Sequence, residues 1–436
     1  MFYFFPVTFS SLPSLLGPLL PGFAWAALVC FLLGAPALAL ASSWSAPGRR
    51  RALAQLEVAL LASTALALAT LALANGGGAS LYLHGHGGLL SLSLDPLKLF
   101  FATLATAMVT LATLAYGSSA LRSPFAGPAT GGEEAHSYAL FGALLLLLQG
   151  TLLLCFLTEN LLTFFLTFEL SILPLFFAMA LASKSPEKFR AKYYLLFFTL
   201  LSGVPLLLAL LWIQARTGTF SALAAELALA RQFAGGTLPL GALLLPFLGL
   251  NLPFLVKGAI FPFHGWLPEA HVEAPTEGSM LLSGILLKLG FFGFVKYSLV
   301  LFAPLVPFVL GPHLLFFLLG SLPMVGALFL AGDAKRVVAY FSIAHMQLTG
   351  AALFAGSATA YWGALYQNFG HAVISAGLFL AVGLLYDQCR CRHLGEISGL
   401  ATVFPRWSLA LLLLALANAG VPGTLGFVPE LAIYLG

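Results

Sequence analysis

Ionisable side chains occur at several points inside segments that are otherwise apolar. Glu169 lies within FFLTFELSILP, Lys257 within PFLVKGAIFPFHGW and Lys288 within SGILLKLGFFGF. Two histidines, His345 and His371, lie within SIAHMQL and QNFGHAVISAG. A charge at the centre of a bilayer costs on the order of 3 kcal/mol, so such residues are candidates for function. A single buried histidine is more often a satisfied core residue, but the combination predicts a row of groups that exchange protons.

A cluster of helix breakers follows Lys257. The segment FPFHGWLPEAHVEAPTEGS predicts a broken helix, because proline removes a backbone hydrogen bond and clashes with the preceding turn. A second broken helix is predicted near the C-terminus, where ANAGVPGTLGFVPELAIYLG places the acidic Glu430 among glycines and prolines. Interrupted hydrophobic segments at corresponding positions of two halves are typical of transport sites. The first predicted broken-helix loop holds His264, Pro268, Glu269, His271, Glu273 and Pro275.

The histidines and glutamates of this loop allow a second interpretation, since zinc binds both residue types. We expect the prolines to prevent the one-face helical spacing of a metal-binding helix. The sequence therefore favours a cap, a hinge or a proton entry over a metal site. The cysteines lack the close spacing of an iron–sulfur site, and no glycine fingerprint of a dinucleotide-binding domain follows a strand. The chain is thus predicted to bind no redox cofactor. Its cysteines are Cys30, Cys155, Cys389 and Cys391.

Membrane-spanning helices are needed to hold these residues. Of the 436 residues, 60% are hydrophobic and 8% are charged, whereas roughly 25% are charged in soluble domains. A spanning helix requires about 20 mostly apolar residues, and runs of that length recur without the alternating polarity of a membrane β-barrel. The sequence predicts an all-α integral membrane protein of about 12 transmembrane helices. The predicted spans, counted 1 to 12 along the chain, are 21–42, 52–74, 96–117, 138–157, 160–182, 193–214, 240–262, 278–300, 305–330, 337–356, 361–386 and 405–434.

Basic residues predict the orientation of the spans, because Lys and Arg accumulate in loops on the inner side. With the N-terminus outside, only Arg216 and Arg231 fall in outer loops. Lys98 and Lys296 are placed near outer helix ends, where their long stems are expected to reach the interface. Residues 1–20 are apolar but rich in proline, and they are predicted as an interfacial segment, with a thirteenth span as the alternative. The predicted inner loops hold Arg49, Arg50, Arg51, Arg122, Lys184, Lys188, Arg190, Lys192, Lys335, Arg336, Arg390, Arg392 and Arg406.

From about Asp95 to Gly436 the sequence resembles the antiporter-like, proton-translocating subunits of respiratory complex I, in the chain 4 type of NADH–ubiquinone oxidoreductase. The motifs that carry the resemblance are FELSILP, KGAIFPFHGWLPEAHVEAPTEGSMLLSGILLKLGFFG, DAKRVVAYFSIAHM, NFGHAVISAGLF and GVPGTLGFVPE. The segment HVEAPTEGS resembles chain 4 more than its two sister subunits. The resemblance implies that Glu169 and Lys257 form the entry pair, that Lys288 is the central lysine, that His345 and His371 are polar links, and that Glu430 is the terminal acid.

The resemblance also implies two inverted five-helix repeats with broken spans 7 and 12. Residues 1–137 then hold the N-terminal segment and spans 1–3, residues 138–300 the first repeat with spans 4–8, and residues 305–436 the second repeat with spans 9–12. Members of the family usually continue for two helices past the second break. The second repeat is therefore expected to be incomplete at the C-terminus, its remainder supplied by a separate chain, lost, or missing from a truncated sequence. Lys288 is expected to lie alone at mid-membrane, between the broken helix and His345.

The function implied is that of a non-redox membrane-arm subunit of a proton-translocating NADH:ubiquinone oxidoreductase, coupled to electron transfer in partner subunits. FMN, iron–sulfur clusters and ubiquinone are expected in those partners, which include sister antiporter-like subunits. The lipid bilayer is the other expected partner, and nucleic acid is not one. A cation/proton antiporter subunit with the same row is the alternative, whereas a structural scaffold would leave the buried charges unexplained. The mitochondrial inner membrane is favoured over a bacterial plasma membrane, because the chain has very low charge and no recognisable presequence.

Overall fold

The computed structural model describes residues 81–84, 91–122, 132–182 and 186–436, and most of these residues are helical. Within this part of the chain, eight helices are long and apolar enough to cross a membrane. They correspond to predicted spans 3 to 9 and 11, so the all-α membrane class is confirmed. Predicted spans 1 and 2 and the segment 1–20 lie outside the described residues. The eight are Pro96–Tyr116, Leu140–Leu157, Leu161–Leu181, Arg190–Thr217, Leu240–Lys257, Thr276–Leu301, Val306–Leu330 and Ala358–Cys389.

The chain divides into two compact units, the first of which ends at Leu181. The described part of this first unit begins with a two-stranded antiparallel hairpin that the sequence did not predict. Helices follow, and the predicted span 5 is interrupted at Ser171, where a turn separates two helices of one span. The elements are β1 (Leu81–His84), β2 (Ser91–Leu94), α1 (Pro96–Arg122), α2 (Gly132–Leu157), α3 (Leu161–Leu170) and α4 (Ile172–Ala182).

The second unit, from Ala182 to Gly436, holds the remaining helices. Two differ from expectation: α5 begins seven residues before the predicted start of span 6, and α6 forms where an outer loop was expected. The elements are α5 (Pro186–Thr217), α6 (Ala222–Ala234), α7 (Leu240–Lys257), α8 (Trp266–Glu273), α9 (Thr276–Leu301), α10 (Val306–Leu330), α11 (Ala334–Leu353), α12 (Ala358–Cys389), α13 (Leu400–Val403), α14 (Pro405–Asn418) and α15 (Phe427–Leu435).

Helix α9 forms the centre of the second unit, and its most apolar stretch is entirely buried. Its close packing against α7 depends on Gly290, because a Cβ added there would lie 2.4 Å from the backbone oxygen of Phe254. Two π-turns, Leu282–Leu286 and Phe294–Ser298, stand on either side of Lys288. Single π-turns inside α-helices are frequent at functional sites, because they free a backbone carbonyl from the helical ladder.

The predicted break in span 7 is confirmed, and it begins directly after Lys257. The indole N–H of Trp266 donates to the carbonyl of Val256 at 2.9 Å, which satisfies one of the carbonyls that a helix end leaves open. One expectation was wrong: the prolines do not prevent helical structure in the loop. Helix α8 (Trp266–Glu273) contains Pro268 in its first turn, where the missing N–H has no intrahelical partner in any case.

The predicted break in span 12 is confirmed as well. Helix α14 ends at Asn418 and α15 begins at Phe427. Between them Gly420 and Gly423 adopt φ angles of 62° and 88°, which side chains other than glycine rarely tolerate. The break brings the carboxylate of Glu430 into the first turn of α15, where the helix dipole favours a negative charge.

Candidate proton-transfer site

Lys288 is fully buried. The sequence led us to expect that it lies alone, but its ammonium contacts other polar groups. Its ammonium donates to the carbonyl of Ser283 at 2.6 Å, a carbonyl of the first π-turn. The same ammonium lies 2.6 Å from Nδ1 of His371, which is 83 residues away in sequence and belongs to α12. The partner of Lys288 in the row is therefore His371, whereas the sequence predicted that Lys288 lies alone, between the broken helix and His345.

Two further groups extend the row from His371. The ring of His345 on α11 lies 5.6 Å from the ring of His371, measured between centroids. On its other side, Nε2 of His345 lies 3.2 Å from Oε1 of Glu430. Lys288, His371, His345 and Glu430 thus form one connected row that crosses from α9 through α12 and α11 to α15. The resemblance named all four residues, and the structure brings them together.

The row ends at a narrow crevice. Its lining includes His345, His371, Gln367, Asn418 and Glu430. The amide of Gln367, one turn before His371 on α12, donates to Oε1 of Glu430 at 3.4 Å. Among the described residues, Nε2 of His371, Nδ1 of His345 and Oε1 of Gln367 are buried without a hydrogen-bond partner. Sequence reasoning missed Gln367, although an amide four residues before a buried histidine in an apolar helix is a usable signal.

The side chains of the predicted broken-helix loop have separate surroundings, and in the described part of the chain no three His, Cys, Asp or Glu side chains come together. His271 is fully buried and stacks on Phe379, with ring centroids 4.1 Å apart. Glu269 instead pairs with Arg336 at 3.0 Å on a partly exposed surface. Burial lowers the pKa of His264, which lies between α7 and α8, and a hydrogen bond to the Pro262 backbone opposes that effect. Glu273 and Pro275 are half-buried.

Three connections that were predicted on the inner side contact one another. Arg392 pairs with Asp333 at 3.2 Å, and it also donates to the carbonyl of Val272 at 2.7 Å. The buried ammonium of Lys335 donates to the carbonyl of Ala274 at 2.7 Å. These contacts confirm that the segments after α7, before α11 and after α12 share one side of the second unit. Which face of the membrane that side adjoins stays a prediction.

Cys391 lies on the same connection. Its thiol donates to the carboxylate of Glu396, at 3.0 Å from Oε2, and this hydrogen bond raises the pKa of the thiol. Cys389, at the end of α12, is exposed. A raised pKa leaves a smaller fraction of reactive thiolate at neutral pH, so we expect Cys391 to react more slowly than an unperturbed thiol.

The predicted entry residues belong to different units. Glu169 lies near the end of α3 in the first unit and is half-buried. Lys257 is the last residue of α7 in the second unit and is 2% exposed. Their pairing stays a prediction.

One expectation about a lysine was wrong. Lys98 does not extend to the interface but is fully buried, with its ammonium 2.7 Å from Oε1 of Glu159. Sequence reasoning treated Glu159 as part of a connection between spans. Sequence reasoning therefore missed the carboxylate of Glu159, which lies 61 residues away in sequence and holds this lysine inside the fold.

Comparisons with known proteins agree with this architecture. Residues 158–435 match a family model with the description "NADH:quinone oxidoreductase/Mrp antiporter, TM". NADH-ubiquinone oxidoreductase chain 4 of Acanthamoeba castellanii is 34% identical over 277 residues, which cover 64% of this chain and 54% of that protein. NADH-quinone oxidoreductase subunit M of Rhodobacter capsulatus is 32% identical over 306 residues, covering 67% of this chain and 58% of the relative. The chain thus spans little more than half the length of these two relatives.

Solved structures share the fold. A chain of respiratory complex I from Thermus thermophilus with bound NADH superposes with a TM-score of 0.78 and 27% identity, over 94% of this chain and 82% of that chain. A chain of the Mrp complex from Dietzia sp. superposes with a TM-score of 0.75 over 95% of this chain and 43% of that one, and at 23% identity this similarity concerns the fold alone. Because the family model covers more than half of its length, the chain belongs to the NADH:quinone oxidoreductase/Mrp antiporter transmembrane family.

Proposed function

We propose that this chain is a membrane-arm subunit of a proton-pumping NADH:ubiquinone oxidoreductase and that it moves protons without binding a redox cofactor. Its similarity to chain 4 and subunit M proteins supports this assignment. FMN, iron–sulfur clusters and ubiquinone then belong to partner subunits, among them sister antiporter-like subunits. The proposed location is the mitochondrial inner membrane, with a bacterial plasma membrane as the alternative, and the genome of origin decides between them.

The connected row from Lys288 to Glu430 is the observation that carries the proposal. A proton leaves the ammonium of Lys288 for Nδ1 of His371, the atom 2.6 Å away. The 5.6 Å between the two imidazole rings is a separation that one bridging water spans. From His345 the proton passes to Glu430, whose side chain is 14% exposed, whereas Lys288 is fully buried.

Charge repulsion explains how such a row carries protons one at a time. Two like charges about 4 Å apart repel by roughly 4 kcal/mol at an effective dielectric constant of about 20. Protonated His371 therefore disfavours a charge on both Lys288 and His345. Loading one group releases the proton of its neighbour, and a change in spacing during turnover gives the transfer its direction.

The entry to the row is proposed to be the pair of Glu169 and Lys257. The two residues lie in apolar helices, and Lys257 stands at the edge of the break in span 7, where backbone groups leave the helical ladder. An experimental structure of the assembled complex tests this pairing. Charged groups more than about 10 Å apart with no intervening water would contradict it, because screening would erase their coupling.

The function is tested with Glu430→Gln in the assembled complex, reconstituted into vesicles. The amide keeps the size of the side chain but cannot take up a proton, so we expect fewer protons pumped per electron. Glu396→Gln is the matched control, because Glu396 is an exposed carboxylate outside the row. An unchanged ratio of protons to electrons in Glu430→Gln would remove Glu430 from the pathway.

A cation/proton antiporter subunit is the second candidate, favoured by the Mrp antiporters in the same family and by the shared fold of the Mrp complex. Isolation of the native complex through a tag on this chain separates the two. Flavin and iron–sulfur subunits in the isolate support the oxidoreductase. A complex without them that exchanges cations for protons supports the antiporter.

A further inference from the structure

The buried ammonium of Lys98 lies outside the row described above. Lys98 is 0% exposed and Glu159 is 7% exposed. The ammonium lies 2.7 Å from Oε1 of Glu159, and it donates to Oγ of Ser93 at 2.6 Å and to the carbonyl of Thr158 at 2.8 Å. An ammonium has three N–H donors. Hydrogen bonds to these close acceptors therefore fix the position of the ammonium, whereas an apolar side chain of the same volume would make no directional contacts.

Strand β2, helices α1 and α2, and the joint between α2 and α3 meet at this ammonium. Strand β2 supplies Ser93, which also donates to the carboxylate of Glu159, and α1 supplies the lysine itself. The carbonyl of Leu157 ends α2 and that of Thr158 belongs to the next residue, so the ammonium lies at a helix C-terminus, where the helix dipole favours a cation. The backbone N–H of Glu159 donates to the carbonyl of Ser91 at 2.8 Å, which attaches the joint between α2 and α3 to the strand.

Helix α3 begins directly after this joint. The side chain of Asn160 caps it by accepting hydrogen bonds from the backbone of Leu162 and Thr163. Glu169 lies nine residues beyond Asn160, which at about 1.5 Å per residue corresponds to roughly 14 Å along the helix axis. That distance is close to half of the hydrocarbon thickness of about 30 Å. Because α3 ends at Leu170, any displacement of the joint is transmitted to Glu169 over a single short helix.

We propose that Lys98 is a positioning residue: its bonds to Glu159 and to the carbonyl end of α2 hold the start of α3 in place and thereby set the depth of Glu169. The proposal rests on the function proposed above, in which Glu169 is the first acid of the pathway. Lys98 itself takes no part in proton transfer.

The test uses the assembled complex in vesicles and compares three variants. Lys98→Met alone removes the cation that lies 2.7 Å from the buried carboxylate of Glu159 and is expected to assemble poorly. The neutral double variant, Lys98→Met with Glu159→Gln, removes both charges of this pair together, so we expect it to assemble at the wild-type level. Its ratio of protons to electrons should nevertheless fall, whereas Lys98→Arg, which keeps the cation, should retain the wild-type ratio.

Glu169→Gln is measured in parallel so that the two proposals can fail separately. The positioning role requires that both Glu169→Gln and the neutral double variant lower the ratio of protons to electrons. If Glu169→Gln is impaired while the assembled double variant pumps at the wild-type ratio, the positioning role of Lys98 is wrong and the proposed function stands. If Glu169→Gln pumps normally, the entry residue of the proposed function is wrong, and Lys98 has nothing to position.

Discussion

Lys288→Met removes the ammonium at the centre of the row. The substitution keeps the length of the side chain and its apolar stem, so the volume inside α9 changes little. It deletes two contacts of 2.6 Å each, one to the carbonyl of Ser283 and one to Nδ1 of His371. His371 keeps its ring contact with His345, so the rest of the row stays in place.

The effect on stability is expected to be small. The carbonyl of Ser283 and Nδ1 of His371 each lose a buried hydrogen-bond partner, which costs about 1–3 kcal/mol for each group. Removing a buried ammonium eliminates an effective desolvation penalty of several kcal/mol. Because the two contributions are of similar size and opposite sign, the free energy of unfolding should stay within about 2 kcal/mol of wild type. We therefore expect normal amounts of assembled complex.

The effect on transport is expected to be large. Without a protonatable group at position 288, a proton must cross an apolar gap, and a charge in such surroundings costs on the order of 3 kcal/mol. Since each 1.36 kcal/mol changes a rate about tenfold, the transfer step should slow by roughly a hundredfold. Proton uptake by this subunit would then contribute nothing measurable to the ratio of protons to electrons.

The assay measures protons pumped per electron in vesicles, with assembled complex quantified in the same preparation. Lys296→Met is the matched control, because Lys296 is a half-buried lysine two turns further along the same helix. We expect the control to pump at the wild-type ratio. Normal assembly together with normal pumping in Lys288→Met would mean that the lysine is structural and that the row does not carry the protons.

Two further predictions concern orientation and the second break. A maleimide that cannot cross membranes should label Cys389 only from the matrix or cytoplasmic side, and labelling from the outer side would refute the orientation. Cys391, whose thiol has a raised pKa, should react more slowly than Cys389, and mass spectrometry of the two positions would measure the difference. Gly420→Ala should lower proton pumping without loss of assembly, because a Cβ there would lie 2.4 Å from the carboxylate of Glu430. Gly423→Ala is the control, since it also has a positive φ but nothing within 4 Å of the added Cβ, and equal pumping in the two variants would contradict a role for the carboxylate position.

The helices and their two breaks were predictable because both depend on residues close together in sequence. Spanning helices follow from runs of apolar side chains, since insertion into a bilayer sums over neighbouring residues. The break after Lys257 follows from the prolines beyond it, and the break before Glu430 follows from Gly420 and Gly423 with the prolines around them. Helix α8 was not predictable from the same signal, because the position of Pro268 within a helical turn decides whether the residue ends a helix or begins one.

Partners within the site were not predictable from the residues alone. Lys288 contacts His371 across 83 positions, and Lys98 contacts Glu159 across 61. Periodicity places a charge inside a helix, but it does not say which neighbouring helix the charge faces. The sequence therefore placed Lys98 at an interface and Lys288 alone at mid-membrane, whereas the structure gives each lysine a buried partner.

The membrane-spanning class, the positions of the two helix breaks and the ionisable residues in apolar surroundings can all be read from the amino-acid sequence. The order of the row, the attachment of Gln367 to its terminal acid, and the buried pair of Lys98 and Glu159 depend on how distant helices pack. The physical reason is that the cost of burying a charge is set by its local apolar surroundings. This cost is offset by a polar partner that the packing of distant helices brings within about 3 Å of the buried charge.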